Sequence, residues 1–306
     1  LAAQQKRDAQ PDQAESGFAE GLKLLQLAEA QAPLPVAALQ ARSAALGAMG
    51  DLAWAHGHFA DARRHYVAKR QVARQICRLT GAAPQALHDV SVSLGRLGEV
   101  AELKGQFGKA RRLYEAKLVL AEQVMERVSE PSTLQPTLGG AEESGVPEVL
   151  TRQRALRDVG VSHGRLGDLD RAFGDFESAM RRYETQLSCF ERAHAKQETK
   201  PRVQSLRDMS VARERLGTTA ASLDRLAEAK LHFEIQLQIA RQIRTVLGDT
   251  AEALRDVSVS LGRLGDLAHE LGRRQISEAQ RYYEQKLQIA KQTVTLTPDA
   301  PEALRD

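Results

Sequence analysis

A fifteen-residue segment recurs five times along the chain, and this repetition limits the possible folds more than any other feature of the sequence. Two copies differ at only three positions: residues 86–100 have the sequence ALHDVSVSLGRLGEV, and residues 253–267 have ALRDVSVSLGRLGDL. Weaker copies begin at Ala38, Ala155 and Ser205. The last glycine of each copy is, in order, Gly50, Gly98, Gly167, Gly217 and Gly265. These spacings of 48, 69, 50 and 48 residues indicate a protein built from stacked structural repeats.

A second pattern follows each of these glycines. In the first four copies an alanine and an aromatic residue stand 12 and 16 positions later: Ala62 and Tyr66, Ala110 and Tyr114, Ala179 and Tyr183, Ala229 and Phe233. In the fifth copy the pair Ala279 and Tyr283 stands two positions further on, which implies an insertion around residues 273–275. The apolar residues from Phe107 to Ala121 keep the spacing of an amphipathic helix. Each repeat is therefore predicted to be helix A, a tight turn and helix B.

Turn and cap residues place the boundaries between repeats. Pro84 is predicted to lie in the first turn of a helix, and Asp249 with Glu252, like Asp299 with Glu302, has the spacing of a capping box. The predicted divisions are a partial preceding repeat (1–33), repeats at 34–81 and 82–128, an inserted loop (129–150), repeats at 151–200, 201–248 and 249–297, and the start of a further repeat (298–306). The chain is thus expected to be an excerpt from a longer array, with apolar surface at its ends that favours self-association.

Composition excludes several other classes of protein. No apolar run approaches 18 residues, so no membrane span is predicted. Cys77 and Cys189 are too sparse for a disulfide framework, and free thiols predict a reducing, cytoplasmic location. The histidines at positions 56, 58 and 65 are interpreted as a solvated turn rather than a zinc site. With no P-loop, dinucleotide-binding turn or metalloprotease motif, we expect neither an enzyme nor a cofactor.

The Leu-Gly pair followed by alanine and an aromatic residue resembles the tetratricopeptide repeat (TPR), a helix–turn–helix unit of 34 residues. The period here is longer, about 48–50 residues, and resembles the variant found in kinesin-light-chain-like proteins. The segment RDVSVSLGRLGD (residues 255–266) also resembles arrays in large bacterial multidomain proteins. The resemblance implies an all-α, right-handed superhelical solenoid of stacked antiparallel hairpins, whose A helices line a concave groove.

A helical wheel of the fifth repeat places Val259, Gly262, Arg263 and Asp266 on the face opposite helix B. The equivalent arginines form an arginine ladder of Arg96, Arg165, Arg215 and Arg263. The equivalent acids form a carboxylate ladder of Asp51, Glu99, Asp168 and Asp266. Two interpretations stay open: an ion-pair lattice within or between helices, or a row of groups that also meets a ligand. The glycines of this face (Gly47, Gly95, Gly164, Gly262) permit either close packing or the approach of a ligand backbone.

Two positions of this face are singled out as partner contacts. Trp54 is the single tryptophan and is expected to anchor a partner on the groove side. Thr218 replaces the acid three residues after Arg215, so if any arginine of the ladder is free to engage a ligand, it is expected to be Arg215.

The leading functional hypothesis is a non-catalytic scaffold or sensor module of a larger bacterial protein, which binds a protein or peptide. The alternative is RNA binding by an arginine-lined groove. It is disfavoured because a carboxylate accompanies most of the arginines, and phosphate-driven affinity needs uncompensated positive charge.

Overall fold

The structure is a computed structural model of the chain. It describes residues 17–25, 27–29, 32–129, 152–195, 203–272 and 275–296. Within these ranges the chain is almost entirely helical and contains no strand, which confirms the predicted all-α fold. The predicted loop at 129–150, the further repeat at 298–306 and the capping box at Asp299 lie essentially outside the described residues.

Within these described ranges, ten helices of 20 to 23 residues follow the helical residues 17–25 and 27–29. They are α1 (Val36–Ala55), α2 (Phe59–Leu79), α3 (Pro84–Leu103), α4 (Phe107–Ser129), α5 (Arg152–Ala172), α6 (Phe176–Ala195), α7 (Val203–Ser222), α8 (Leu226–Leu247), α9 (Ala251–Glu270) and α10 (Ile276–Leu296). The odd-numbered helices are the helices A of the sequence pattern, and the even-numbered ones are the helices B.

The chain divides into two compact units, Leu1–Ser162 and His163–Asp306. In the first unit α1 packs on α2, α2 on α3, and α3 on α4. In the second unit α6 packs on α7, α7 on α8, α8 on α9, and α9 on α10. Successive helices thus contact one another both within hairpins and between neighbouring hairpins, which is the arrangement of a repeat protein.

The last glycine of each fifteen-residue segment makes room for the aromatic ring of helix B. A Cβ atom on Gly167 would lie 2.6 Å from Cε1 of Tyr183, and one on Gly217 would lie 2.5 Å from the ring of Phe233. The ring of Tyr183 is fully buried as a result. This contact explains why glycine and the aromatic residue recur 16 positions apart.

The helix ends agree with most of the predicted signals. Pro84 occupies the first turn of α3, and the turn residue between A and B helices has positive φ, 75° at Gly57 and 58° at Asp224. The capping box at Asp249 was wrong. Thr250 is the N-cap of α9 and accepts a 3.3 Å hydrogen bond from the amide of Ala253, while Asp249 pairs with Arg244. None of the helices in the described ranges is long and apolar enough to cross a membrane.

Candidate binding face of the first helices

The arginine and carboxylate ladders lie along the helices A, and the structure shows how their members pair. In the first unit Arg96 on α3 places one terminal nitrogen 3.3 Å from Asp51 on α1 and the other 3.1 Å from Glu99 on its own helix. Burial lowers the pKa of the Arg96 guanidinium, but the carboxylates of Glu99 and Asp51 outweigh burial, so this pKa lies above its ordinary value. Arg96 therefore connects two successive repeats.

Arg215 is not free, contrary to the expectation drawn from Thr218. Its guanidinium on α7 lies 2.5 Å from Oδ2 of Asp168 on α5, donates to Gln186 and sits 5.7 Å from the centre of the Tyr183 ring. The prediction failed because the acid that pairs with this arginine belongs to the preceding repeat, 47 positions earlier, and not to the same helix.

In the fourth repeat two positions of the repeated sequence change together, and the partner of the next arginine changes with them. Arg263 on α9 pairs with Glu214 on α7, with a shortest distance of 2.6 Å. Glu214 stands at the position that is glycine in the other repeats, and Thr218 stands in place of the ladder acid. The carboxylate that binds the next arginine has thus moved by one helical turn.

A hydroxyl group from helix B holds the ladder acid in three of the repeats. Tyr66 donates to Asp51 over 2.7 Å, Tyr183 donates to Asp168 over 2.9 Å, and Tyr283 donates to Asp266 over 2.8 Å. Burial, followed by the neighbouring carboxylate, raises the pKa of all three phenols, and that of Tyr283 reaches about 12. The hydroxyls therefore stay protonated and act as donors throughout the physiological range.

A second row of ion pairs runs along the same helices in the opposite sense. Arg207 on α7 lies 3.3 Å from Asp256 and 2.9 Å from Glu252, both on the following helix A. In the first unit Nδ1 of His88 lies 2.9 Å from Oδ2 of Asp158. Here the basic residue belongs to the earlier repeat and the acid to the later one, whereas the arginine ladder has the reverse order.

The glycines of this face are covered by side chains from helix B. A Cβ on Gly164 would lie 2.6 Å from Nε2 of Gln186 and 2.9 Å from Nη1 of Arg215, and one on Gly47 would lie 2.8 Å from Nζ of Lys69. Gly262 is buried beneath Lys286 and does not line an open groove as the helical wheel suggested. Close packing is therefore the correct interpretation of these glycines.

The valine four positions before each ladder arginine is a surface feature that sequence reasoning did not single out. The valines are Val92, Val161, Val211 and Val259. All of them are at least partly exposed, and Val211 exposes 44% of its surface. A spacing of four residues places valine and arginine on one face of the helix. The helical wheel of the fifth repeat already placed Val259 on the same face as Arg263.

The remaining candidate residues occupy different environments. Trp54 is half-buried, stacks edge-to-face on Phe59 with ring centres 5.2 Å apart, and packs against the core around Tyr66. Asp266 is exposed and Arg165 is half-buried. Their roles in binding stay predictions. Among the described residues, no three His, Cys, Asp or Glu side chains converge as a metal site would require.

No protein-family model matches the sequence, and no curated protein has significant sequence similarity to it. Among solved structures, BtubC (BKLC) from P. vanneervenii superimposes with a TM-score of 0.55 at 15% identity, over 90% of this chain and 91% of that chain. The nuclear import adaptor Nro1 of S. pombe gives a TM-score of 0.52 at 14% identity, over 97% and 90% of the two chains. Both are TPR-like repeat proteins. The fold is TPR-like.

A kinesin light chain of Podosopora anserina with nearly identical TPR-like repeats is also similar, with a TM-score of 0.45 and 16% identity over 80% of this chain and 97% of that chain. The TPR-like fold gives the two ladders their geometry. Each helix A lies beside the helix A of the next repeat, so residues about 48 positions apart in sequence become neighbours, as Arg215 and Asp168 do.

Proposed function

We propose that this chain is a non-catalytic scaffold that binds a protein or peptide along the face of its helices A. The proposal rests on the valine that four of the five helices A have at the same position. It is half-buried in three of them and exposed at Val211. Exposed apolar side chains that recur in a row and are bordered by charged groups are typical of protein-binding surfaces. The TPR-like scaffold supports the same class of function.

The ion pairs beside the valines make the face rigid before a partner arrives. Arg215, Asp168 and Tyr183 restrain one another through contacts of 2.5 to 2.9 Å and a ring contact. A surface that is already ordered loses little conformational entropy on binding. An extended peptide with apolar side chains and mixed charge suits this face, and we include the ladder residues and Trp54 among its candidate contacts.

The pairing of the arginines argues against the RNA alternative. Arg96, Arg215 and Arg263 each lie within 3.3 Å of a carboxylate. Phosphate groups would have to compete with these internal partners, which lowers the electrostatic gain of binding. Because the repeated sequence resembles arrays in large bacterial multidomain proteins, we further propose that the module is part of a larger bacterial protein in the cytoplasm.

The test compares two valines on different faces of the fold. Val211 on α7 and Val119 on α4 are similarly exposed, at 44% and 52%, so Val211→Asp and Val119→Asp introduce the same charge at similar cost to stability. The parent and both variants serve as bait in lysate of the source cells, and the captured proteins are quantified by mass spectrometry. We expect a partner that the parent and Val119→Asp retain equally and that Val211→Asp loses by about tenfold or more, equivalent to about 1.4 kcal/mol.

Circular dichroism and the unfolding midpoint establish that both variants are folded. Equal capture by Val211→Asp and the parent would overturn the assignment of this face. Loss of capture by Val119→Asp alone would place the binding surface on the helices B.

A further inference from the structure

A small basic cavity lies on the helix B side of the first unit, away from the arginine ladder. It has a volume of about 70 Å³ and is enclosed by α2, the end of α3 and the start of α4. Four cationic side chains line it: Arg63, Arg70, Lys104 and Lys109. Every residue of its wall lies between positions 63 and 113, all of which the structure describes, and none is Asp or Glu.

Arg70 is the unusual member of this group. The other four repeats have leucine at its position: Leu118, Leu187, Leu237 and Leu287. Nε of Arg70 is buried and, within the described residues, has no hydrogen-bond partner. Burial, followed by the positive charges of Arg74 and Arg63, lowers the pKa of its guanidinium. A guanidinium nitrogen that is buried without a hydrogen-bond partner in the described part of the chain calls for an explanation, since leucine occupies this position in the other repeats.

The same place between the fourth and fifth repeats is neutral and closed. There Lys230 occupies the position of Arg63 and lies 2.9 Å from Glu278, which occupies the position of Lys109. Leu271 replaces Lys104, and the remaining space has no room for a water molecule. The repeat scaffold therefore does not require a charged cavity at this position. At positions 70, 104 and 109 the first unit differs from this site, and each difference adds positive charge or removes negative charge. Arg63 and Lys230 carry the same charge.

We propose that this cavity is a binding site for a phosphate group, either free phosphate or a phosphomonoester. About 10–15 Å³ of such space holds one water oxygen, so the cavity accommodates the four oxygens of a phosphate. A guanidinium donates two parallel hydrogen bonds to such an oxyanion, and Arg70 is one of the two arginines that line the cavity. The N-terminus of α4, where Gln106 and Lys109 line the cavity, favours an anion further through its dipole.

Two substitutions taken from the other repeats test the site in the intact chain. Arg70→Leu installs the residue of the other four repeats, and Lys109→Glu supplies the internal carboxylate that Glu278 provides in the fifth. Arg78→Leu is the matched control, because it removes one charge from the same helix α2 at an exposed position outside the cavity. Binding of inorganic phosphate is measured by isothermal titration at constant ionic strength, with chloride as the balancing anion.

We expect saturable phosphate binding by the parent, a loss of about tenfold or more in affinity for both cavity variants, and less than a twofold change for Arg78→Leu. Arg70→Leu should also unfold at a temperature no lower than the parent, which separates loss of the site from loss of the fold. Phenyl phosphate distinguishes the two possible ligands, a phosphomonoester and free phosphate. Its binding indicates a phosphomonoester ligand, and binding of inorganic phosphate alone indicates the free ion. Absence of saturable binding at millimolar phosphate, or equal affinity in parent and Arg70→Leu, would overturn the proposal.

Discussion

The phenol of Tyr183 donates a hydrogen bond of 2.9 Å to Asp168 and thereby links helix B of the third repeat to its own helix A. Asp168 also receives Arg215 from the following repeat, so one carboxylate joins three helices. In the fourth repeat the acid and the hydroxyl are both absent, because Thr218 and Phe233 occupy their positions. The third repeat has both the acid and the hydroxyl, and the fourth repeat has neither, which indicates that the two groups function together.

The acid and the tyrosine hydroxyl can be introduced together into the fourth repeat by substitution. We expect Thr218→Asp and Phe233→Tyr to be coupled, because the buried hydroxyl at position 233 needs an acceptor and the new carboxylate gains a donor. The double variant should be more stable than the sum of the two single changes by about 0.5 kcal/mol or more. Urea unfolding of the parent, both single variants and the double variant measures the coupling. Additive effects would show that the hydroxyl and the acid are independent.

The arginines of the ladder should contribute unequally to stability. The side chains of Arg215 and Asp168 are only 24% and 22% exposed, so Arg215→Ala leaves a half-buried carboxylate without its charged partner. We expect a loss of about 1–3 kcal/mol, the range for removing one partner of a buried hydrogen-bonding group. Arg263 is 43% exposed, and its replacement by alanine should cost about 0–1 kcal/mol, as for exposed pairs. Equal losses in urea unfolding experiments would contradict this ordering.

The last glycine of the repeated segment, Gly167 in the third repeat, should not tolerate a side chain. In Gly167→Ala the new Cβ would meet the Tyr183 ring at 2.6 Å, and the ring is held by packing on all sides, so we expect a loss of about 1–3 kcal/mol from overpacking. Gly108 is the matched control, because it is helical and a Cβ there would meet nothing within 4 Å. Gly108→Ala should stabilise the protein by about 0.4–1 kcal/mol. Thermal or urea unfolding of the two variants measures both effects, and a neutral Gly167→Ala would contradict the packing argument.

His163 should make stability depend on pH. It replaces the leucine of the second and fifth copies, its Nδ1 atom is buried without a hydrogen-bond partner among the described residues, and burial followed by Arg182 lowers its pKa from 6.5. Below this unfolded value the unfolded chain takes up a proton that the folded chain does not, so the free energy of unfolding should fall as the pH falls.

The change in unfolding free energy between about pH 7.5 and pH 5.5 should therefore be smaller in His163→Leu than in the parent. His232, whose pKa is also lowered by burial and then by Arg213, contributes in the same direction. Replacing His232 as well, by the leucine that the second repeat has there, should flatten the pH dependence further. An identical pH dependence in the parent and in His163→Leu would show that this histidine is protonated equally in both states.

The sequence by itself determined the hairpins, their turns and the TPR-like class of fold. These features are local or periodic: a glycine and an aromatic residue 16 positions apart, as Gly167 and Tyr183 are, appear in four of the five copies, and 18 positions apart in the fifth. Helical periodicity also identified the face that carries Arg263 and Asp266. Repetition allowed these assignments because each repeat provides independent evidence for the same element.

Only the tertiary structure decided which charges pair and, within the described residues, where a charged side chain has a buried nitrogen without a hydrogen-bond partner. Arg215 lacks an acid three residues away, yet it lies 2.5 Å from Asp168, because stacking brings together helices that are separated by a whole repeat. Arg70 looks like an ordinary surface arginine in the sequence, but the structure places its Nε in a buried position beside three other cations. The strength of an electrostatic interaction depends on distance and burial in three dimensions, and neither can be obtained from spacing along the chain.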